Sequence, residues 1–218
     1  MSIQLAGSNV IIAARQFNPT VFSQLWLVRN ELLAEEDFGP GYLFSEAIVQ
    51  MATPQFLMLV VPSQIQFSPN DQVEDQQALI QEKVGRIVER LPHTPYVAVG
   101  LNFVWHMRDE QVGIEQLSRE LFFKNDSELY RRFDAEDAKF GAYLSRDFGG
   151  CRQKLDIKPI SLDKSGPEEM QQLQFAFNFH RDLTDAEGSV RRIQEMLGRW
   201  NEVRAESMRI VESLQRRA

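Results

Sequence analysis

A long alternation of large apolar residues with small or polar ones runs through the middle of the chain, in YVAVGLNFVWHM from Tyr96 to Met107. Successive side chains of a β-strand point to opposite faces, so one face receives every second residue. Here that face carries Val97, Val99, Leu101, Phe103, Trp105 and Met107. The segment therefore predicts a strong strand with one buried face.

The segments before this strand predict a regular order of elements. Residues 9–17, 42–51, 55–67 and 96–107 have the composition of strands, and the third of these holds Pro62, which predicts a bulge or an edge position. Its residues Leu57, Leu59, Val61, Ile65 and Phe67 are predicted to share one face. Asn18 and Pro19 suit the start of a helix that continues to Leu33, and residues 68–92 predict a second helix. The order is that of a ferredoxin-like (βαββαβ) first half.

The second half predicts short charged helices over 109–139 and then three strands over 141–150, 152–163 and 170–183. These strands read as an antiparallel meander with turns at Gly149-Gly150 and at KSGPEE. A capping box of Thr184 and Glu187 opens a long C-terminal helix, predicted over 185–214 with a length of about 45 Å. The fold class is α+β with a mixed or antiparallel sheet.

The domain organisation follows from the absence of a linker between these halves. We expect a single compact domain over 1–218. Within it, 1–109 and 110–218 are candidates for two related halves.

Two stretches match each other and supply the candidate catalytic residues. GLNFVWHMRD (100–109) and AFNFHRDL (176–183) share Asn-Phe, a histidine and Arg-Asp, although a two-residue gap is needed to align them. Even spacing puts each Asn and His on one strand face, and an imidazole oriented by a carboxylate can act as a general base. The candidates are Asn102, His106, Asn178, His180, Asp109 and Asp182. The alternative interpretation is that strands become polar where they reach the surface.

Composition restricts the classes of ligand. A net charge of -7 and a pI near 5.1 argue against a surface that binds nucleic acid broadly, because such binding depends on Lys and Arg. One cysteine and three scattered histidines predict no disulfide and no metal site, and no motif predicts a cofactor. No apolar run reaches the ~20 residues of a membrane span, and the N-terminus lacks a basic segment before its apolar run. We expect a cytoplasmic protein.

The leading functional hypothesis is a non-enzymatic interaction or assembly subunit of a multi-protein complex, which binds protein partners or further copies of itself. It depends mainly on the absence of catalytic signatures. Its second basis is an apolar stripe along the C-terminal helix whose distal part would contact another chain. The predicted partner-binding residues are Trp200, Val203, Ile210, Val211 and Leu214. The alternative for the stripe is that it covers the protein's own sheet. The alternative function is a hydrolase or isomerase-like enzyme that uses the His/Asn/Asp cluster.

Overall fold

The computed structural model describes residues 1–39, 41–161, 171–183 and 188–215. The predicted capping box of Thr184 and Glu187 and the predicted KSGPEE turn lie outside these ranges. None of the helices within them has the length and apolar character needed to cross a membrane.

The described residues form an α+β fold around one sheet, as predicted. The strands are β1 (Ser2–Ala14), β2 (Leu43–Phe44), β3 (Val49–Ala52), β4 (Phe56–Val61), β5 (Gln64–Pro69), β6 (Tyr96–Arg108), β7 (Ala142–Phe148), β8 (Cys151–Ser161) and β9 (Gln171–Asp182). The helices are α1 (Gln24–Arg29), α2 (Gln76–Ile80), α3 (Arg86–Arg90), α4 (Ile114–Phe122), α5 (Glu128–Arg131), α6 (Ser189–Leu197) and α7 (Trp200–Gln215). The strand order is β2-β3-β4-β5-β1-β6-β9-β8-β7.

The predicted strands of the second half lie side by side at one end of this order, as β9, β8 and β7. β7 and β8 pair antiparallel, with Phe148 opposite Cys151. Between these two residues, Gly149 and Gly150 have φ values of 53° and 80°. Two residues with positive φ form the tight turn that suits the twist of a hairpin, which is why glycines stand here.

The chain divides into two compact units that do not coincide with the predicted halves. Unit 1 comprises 1–7, 103–178 and 204–218, and unit 2 comprises 8–102 and 179–203. Buried side chains of unit 1 include Phe103, Trp105, Leu155, Phe175, Phe177 and Val211. Buried side chains of unit 2 include Ile12, Phe22, Phe67, Ile80, Leu101 and Trp200.

The alternation on β6 has the predicted consequence for burial. Leu101, Phe103 and Trp105 are buried, whereas Asn102 and His106, which occupy the alternate positions, stay partly exposed. The prediction of one buried face is confirmed from Val99 to Met107 but not at the start of the strand, where Val97 is partly exposed and Tyr96 is buried. The polar face of β6 carries both candidate residues.

The first half contains six strands where four were predicted. The single strand predicted over 55–67 is the hairpin of β4 and β5, which turns at Pro62 and Ser63. Proline lacks a backbone N–H and suits a turn position, so Pro62 ends β4 instead of forming a bulge. The segment predicted over 42–51 divides in the same way into β2 and β3, where Ser45 Oγ accepts a hydrogen bond from the Ile48 backbone N–H at 3.2 Å.

The hairpin also changes which residues share a face. Met58 lies opposite Phe67 and Val60 opposite Ile65, so the buried face of β4 consists of its even-numbered residues. Leu57, predicted to share a buried face with Ile65 and Phe67, is 44% exposed. The prediction was wrong because it assumed one alternation through the whole segment. The two-residue turn pairs even-numbered residues of β4 with odd-numbered residues of β5, so Leu57 and Phe67 lie on opposite faces.

The first predicted helix is shorter than expected. Asn18 does accept a hydrogen bond from the Thr20 backbone N–H at 3.1 Å, but it caps only a 3-10 turn over Pro19–Phe22. Ser23 then caps α1, which ends where the Asn30 amide donates to the Trp26 carbonyl oxygen at 2.8 Å. Glu31 follows with a positive φ of 55°, a conformation that prevents the helix from reaching Leu33.

The predicted second helix is present and bends through a π-helical turn. α2 and α3 are joined by Gln81–Gly85 in π conformation, and Ile80, Val84, Ile87 and Val88 are buried. Gln194 of α6 donates to the Gly85 carbonyl oxygen at 3.0 Å. A Cβ at Gly85 would lie 2.8 Å from Gln194 Oε1, so a side chain at this position would displace the Gln194 amide.

The prediction of one long C-terminal helix is wrong, because the helix is interrupted at Gly198 between α6 and α7. Glycine is a poor helix former, and the next N–H, of Arg199, bonds to the Met196 carbonyl oxygen at 3.1 Å, three residues back instead of four. The Arg199 guanidinium donates a hydrogen bond from Nε to Glu202 Oε2 at 2.8 Å. α7 has 16 residues and is therefore about 24 Å long, not 45 Å.

Candidate functional site

The candidate residues of unit 2 are bonded to neighbours on the sheet surface. The Asn102 amide of β6 donates to Asn9 Oδ1 of β1 at 2.8 Å. His180 Nε2 and Asp182 Oδ1 lie 2.9 Å apart on one face of β9, and the Asp182 side chain is 77% exposed. This contact joins two of the six candidates, His180 and Asp182.

In unit 1, His106 lies beside glutamine side chains of β9. Its Nδ1 accepts a hydrogen bond from Gln172 Nε2 at 2.7 Å, while its Nε2 is buried without a hydrogen-bond partner among the described residues. Burial lowers the pKa of His106, and a hydrogen bond to Gln174 acts in the opposite direction. Asn178 is four residues beyond Gln174 on β9, so the two side chains share a face.

Asp109 has a local role at the end of β6. Its carboxylate accepts a hydrogen bond from the Gln111 backbone N–H at 2.9 Å, which stabilises the turn before α4. A cavity of about 350 Å³ beside it is lined by residues 108–115 and Gln171, with neither candidate histidine among its described lining residues. Within the described ranges, no group of His, Cys, Asp and Glu could hold a metal ion.

The lowered pKa of His106 gives a testable pH dependence of stability. When the folded-state pKa lies below that of the unfolded chain, the unfolded chain takes up the proton more readily. Stability is then lost as the pH falls through the ordinary value of about 6.5. We expect the melting temperature to fall between about pH 7.5 and pH 5.5, and to fall less in His106→Gln. His93→Gln, which leaves His106 in place, is the matched control; equal pH dependence in His106→Gln and wild type would contradict the prediction.

A second surface feature of unit 1 is a groove that the sequence did not indicate. Its volume is about 440 Å³. We call it the β7 groove, and its lining consists of Leu144, Ser145, Arg146, Gln153, Leu155, Glu206 and Ile210.

Three separate segments build the β7 groove. Leu144 lies opposite Leu155 and Arg146 opposite Gln153, so β7 and β8 contribute these four side chains to one sheet face. Glu206 and Ile210 are four residues apart and therefore neighbours on α7. The Trp105 indole N–H donates to Ser207 Oγ at 2.9 Å, and this buried bond fixes the rotation of α7 within unit 1.

The groove contains a carboxylate shared by two arginines. Glu206 is 11% exposed, and its two oxygens lie 2.5 Å from an Arg146 nitrogen and 2.8 Å from an Arg209 nitrogen. Arg146 Nε also donates to Gln153 Oε1 at 2.7 Å. Two guanidinium groups on one carboxylate leave a surplus positive charge, and both guanidinium groups retain N–H donors beyond those used here.

β7 is the last strand of the order, so no described strand pairs with its outer edge. Phe148 and Cys151 flank a two-residue turn and therefore form a hydrogen-bonded pair. By alternation, Leu144 and Arg146 bond inward to β8, and the backbone groups of Tyr143, Ser145 and Asp147 point outward. Tyr143 and Leu144 are 66% and 55% exposed.

The residues predicted to bind a partner on the C-terminal helix divide into two sets. Trp200, Val203 and Val211 are completely buried. Ile210 and Leu214 are partly exposed, and Ile210 lines the β7 groove. Of the two accessible residues of the predicted stripe, Ile210 is therefore the one that the groove places beside β7.

Comparison of the chain with protein-family models, with curated proteins and with solved structures found no match.

Proposed function

We propose that the protein is a non-enzymatic interaction subunit that binds a protein partner along the outer edge of β7 and in the β7 groove. The observation that carries this proposal is an unpaired strand edge beside an apolar-walled groove in the described structure. Addition of a strand to an exposed sheet edge is a recurring mode of peptide recognition, in which main-chain hydrogen bonds give affinity and adjacent pockets give specificity.

The side chains around this edge favour binding of a partner strand over protection against unwanted strand pairing. Proteins usually prevent unwanted pairing with short edge strands or with charges that block the edge. β7 has seven residues, and its Arg146 guanidinium is held by Gln153 of β8 and Glu206 of α7. These contacts draw the arginine over the groove, which leaves Tyr143 and Leu144 exposed beside the open backbone.

Four finer predictions from the sequence belong to this proposal: a ferredoxin-like first half, a duplication, a cytoplasmic location and self-association. The neighbouring strands β4-β5-β1-β6, with helices following β1 and β5, support a ferredoxin-like arrangement within the first half. The adjacency of β6 and β9, which carry the matching Asn and His residues, supports a duplication. A single cysteine, Cys151, which is buried, supports a cytoplasmic location. Self-association remains one form that the interaction could take.

The enzyme alternative has one supporting contact, between His180 and Asp182 at 2.9 Å. A carboxylate in this position can orient an imidazole for general-base catalysis. We favour the interaction function because the β7 groove combines a cavity, an unpaired edge and exposed apolar side chains, whereas this pair has only its mutual contact to support it.

The proposal is tested by blocking the outer edge of β7 with Ser145→Pro. Proline removes an outward N–H and obstructs an incoming strand, while the bonds from β7 to β8 involve other residues. Tagged protein is crosslinked and purified from its native host. We expect wild type to recover a specific partner and Ser145→Pro to lose at least about 90% of it, since the edge supplies the main-chain hydrogen bonds.

The matched control is Ser145→Ala, which keeps the backbone N–H and loses only the hydroxyl that accepts from Arg152 at 2.6 Å. We expect it to recover the partner as wild type does. Circular dichroism establishes whether Ser145→Pro is folded. A folded Ser145→Pro protein that recovers the same partner at the wild-type level would refute the proposed function.

A further inference from the structure

We propose that the β7 groove binds an extended peptide segment in which a carboxylate side chain precedes an apolar side chain by two residues. This inference rests on the proposed function and names the chemistry of the partner. It concerns a single surface, made by β7, β8 and the part of α7 that belongs to unit 1.

The charge of the groove selects the carboxylate. Glu206 faces Arg146 and Arg209, so one positive charge is unbalanced, and both arginines are more than half exposed, at 57% and 67%. On β7 and β8, Arg146 shares the groove face with Leu144, Gln153 and Leu155, whereas the other charged residues of the two strands occupy the alternate positions. The positive charge of the groove therefore comes from Arg146 and Arg209. An anionic side chain can take the remaining guanidinium N–H donors.

The strand geometry fixes the spacing within the peptide. A segment that pairs with the outward backbone groups of Tyr143, Ser145 and Asp147 directs every second side chain to the groove face. Two such side chains, about 7 Å apart, would lie beside Leu144 and Arg146. Leu144 has Leu155 and Ile210 as apolar neighbours in the groove, so it matches an apolar side chain.

The direction of the peptide follows from the sheet. The described strand pairs are antiparallel, including β7 with β8, and a further antiparallel strand continues that pattern. A strand antiparallel to β7 passes Arg146 before Leu144. The acidic residue therefore comes first and the apolar residue second.

A second copy of the chain fits this surface less well. Antiparallel pairing of two β7 strands about a two-fold axis at Ser145 places Leu144 of each copy opposite Arg146 of the other. Each groove would then retain its surplus positive charge beside an apolar side chain. The charge favours an acidic partner over self-pairing.

The test uses fluorescein-labelled synthetic peptides of about nine residues, with alternating threonine and valine around a central Glu-Thr-Leu. Fluorescence anisotropy with the full chain measures binding. We expect saturable binding to wild type. Replacing the peptide glutamate by lysine should weaken binding at least about tenfold, because it brings a like charge to Arg146. Ser145→Pro should weaken binding of the glutamate peptide by a similar factor or more.

The peptide replacement changes no residue of the protein, so misfolding cannot produce its result. Equal binding of the glutamate and lysine peptides would overturn the carboxylate assignment and leave the proposed edge interaction standing. A second outcome is that no peptide binds and that sedimentation shows a dimer for wild type but a monomer for Ser145→Pro. This outcome would overturn the peptide proposal and indicate that a second copy of the chain occupies the edge. Absence of both effects would also overturn it, while the crosslinking result decides the proposed function separately.

Discussion

Replacement of Trp105 by alanine should lower the free energy of unfolding by about 3–5 kcal/mol. Trp105 is 5% exposed, and its indole N–H donates to Ser207 Oγ at 2.9 Å. The change leaves a cavity of tryptophan size in unit 1 and removes the bond that fixes α7. Urea unfolding followed by circular dichroism gives the difference as a lower midpoint with a similar slope.

Trp105→Phe is the matched control because it retains an aromatic ring and loses the indole N–H. We expect a loss between that of Trp105→Ala and zero, since Ser207 Oγ still donates to the Arg204 carbonyl oxygen at 2.7 Å. A loss under roughly 1 kcal/mol for Trp105→Ala would mean that the apolar face of β6 is not covered as described.

The elements that sequence predicted well have their determinants close together in the chain. β6 alternates regularly from Leu101 to Met107, and the glycines between β7 and β8 specify the turn that they occupy. Residues 68–92 keep their apolar spacing through a π-helical turn. In each case local pattern and tertiary packing favour the same structure.

The predictions that failed concern where a strand or a helix ends, which the spacing of apolar residues does not show. Leu57 and Phe67 have the same parity in the sequence, yet the turn at Pro62 and Ser63 puts them on opposite faces. Periodicity alone does not mark such a turn, because the apolar residues keep the same parity through the segment, whereas a two-residue turn pairs even-numbered residues of β4 with odd-numbered residues of β5. At Gly198 the apolar stripe likewise continues although the helix does not.

The candidate surface was harder to predict than the fold, because its parts are distant in the chain. Arg146 and Glu206 meet across sixty residues, and neither belongs to a recognised motif. Ile210 belongs both to the predicted stripe on α7 and to the lining of the β7 groove. A signal for β7 was present in AYLSRDF, where an apolar and a basic residue share one face of a predicted strand, but only the strand order places it at an edge.

Replacement of Trp200 by alanine should also cost about 3–5 kcal/mol of unfolding free energy, measured by urea unfolding. Trp200 is completely buried, and its indole N–H donates to Gln76 Oε1 at 3.3 Å within unit 2. Gln76 in turn donates to the Asn70 carbonyl oxygen at 3.2 Å, and the Asn201 backbone N–H donates to Gln77 Oε1 at 3.0 Å. The tryptophan therefore holds the start of α7 against α2.

The comparison with Ile210→Ala separates a core position from a binding position on the same helix. Ile210 is partly exposed in the β7 groove, so its truncation should cost roughly 1 kcal/mol of stability and weaken binding of the glutamate peptide. Folded Trp200→Ala protein should bind that peptide as wild type does, because its cavity lies in unit 2. The opposite pattern, with Trp200→Ala stable but unable to bind a partner, would mean that α7 leaves unit 2 to present Trp200 to another chain. That result would restore the larger interface that the apolar stripe first suggested and remove the β7 groove as the main contact.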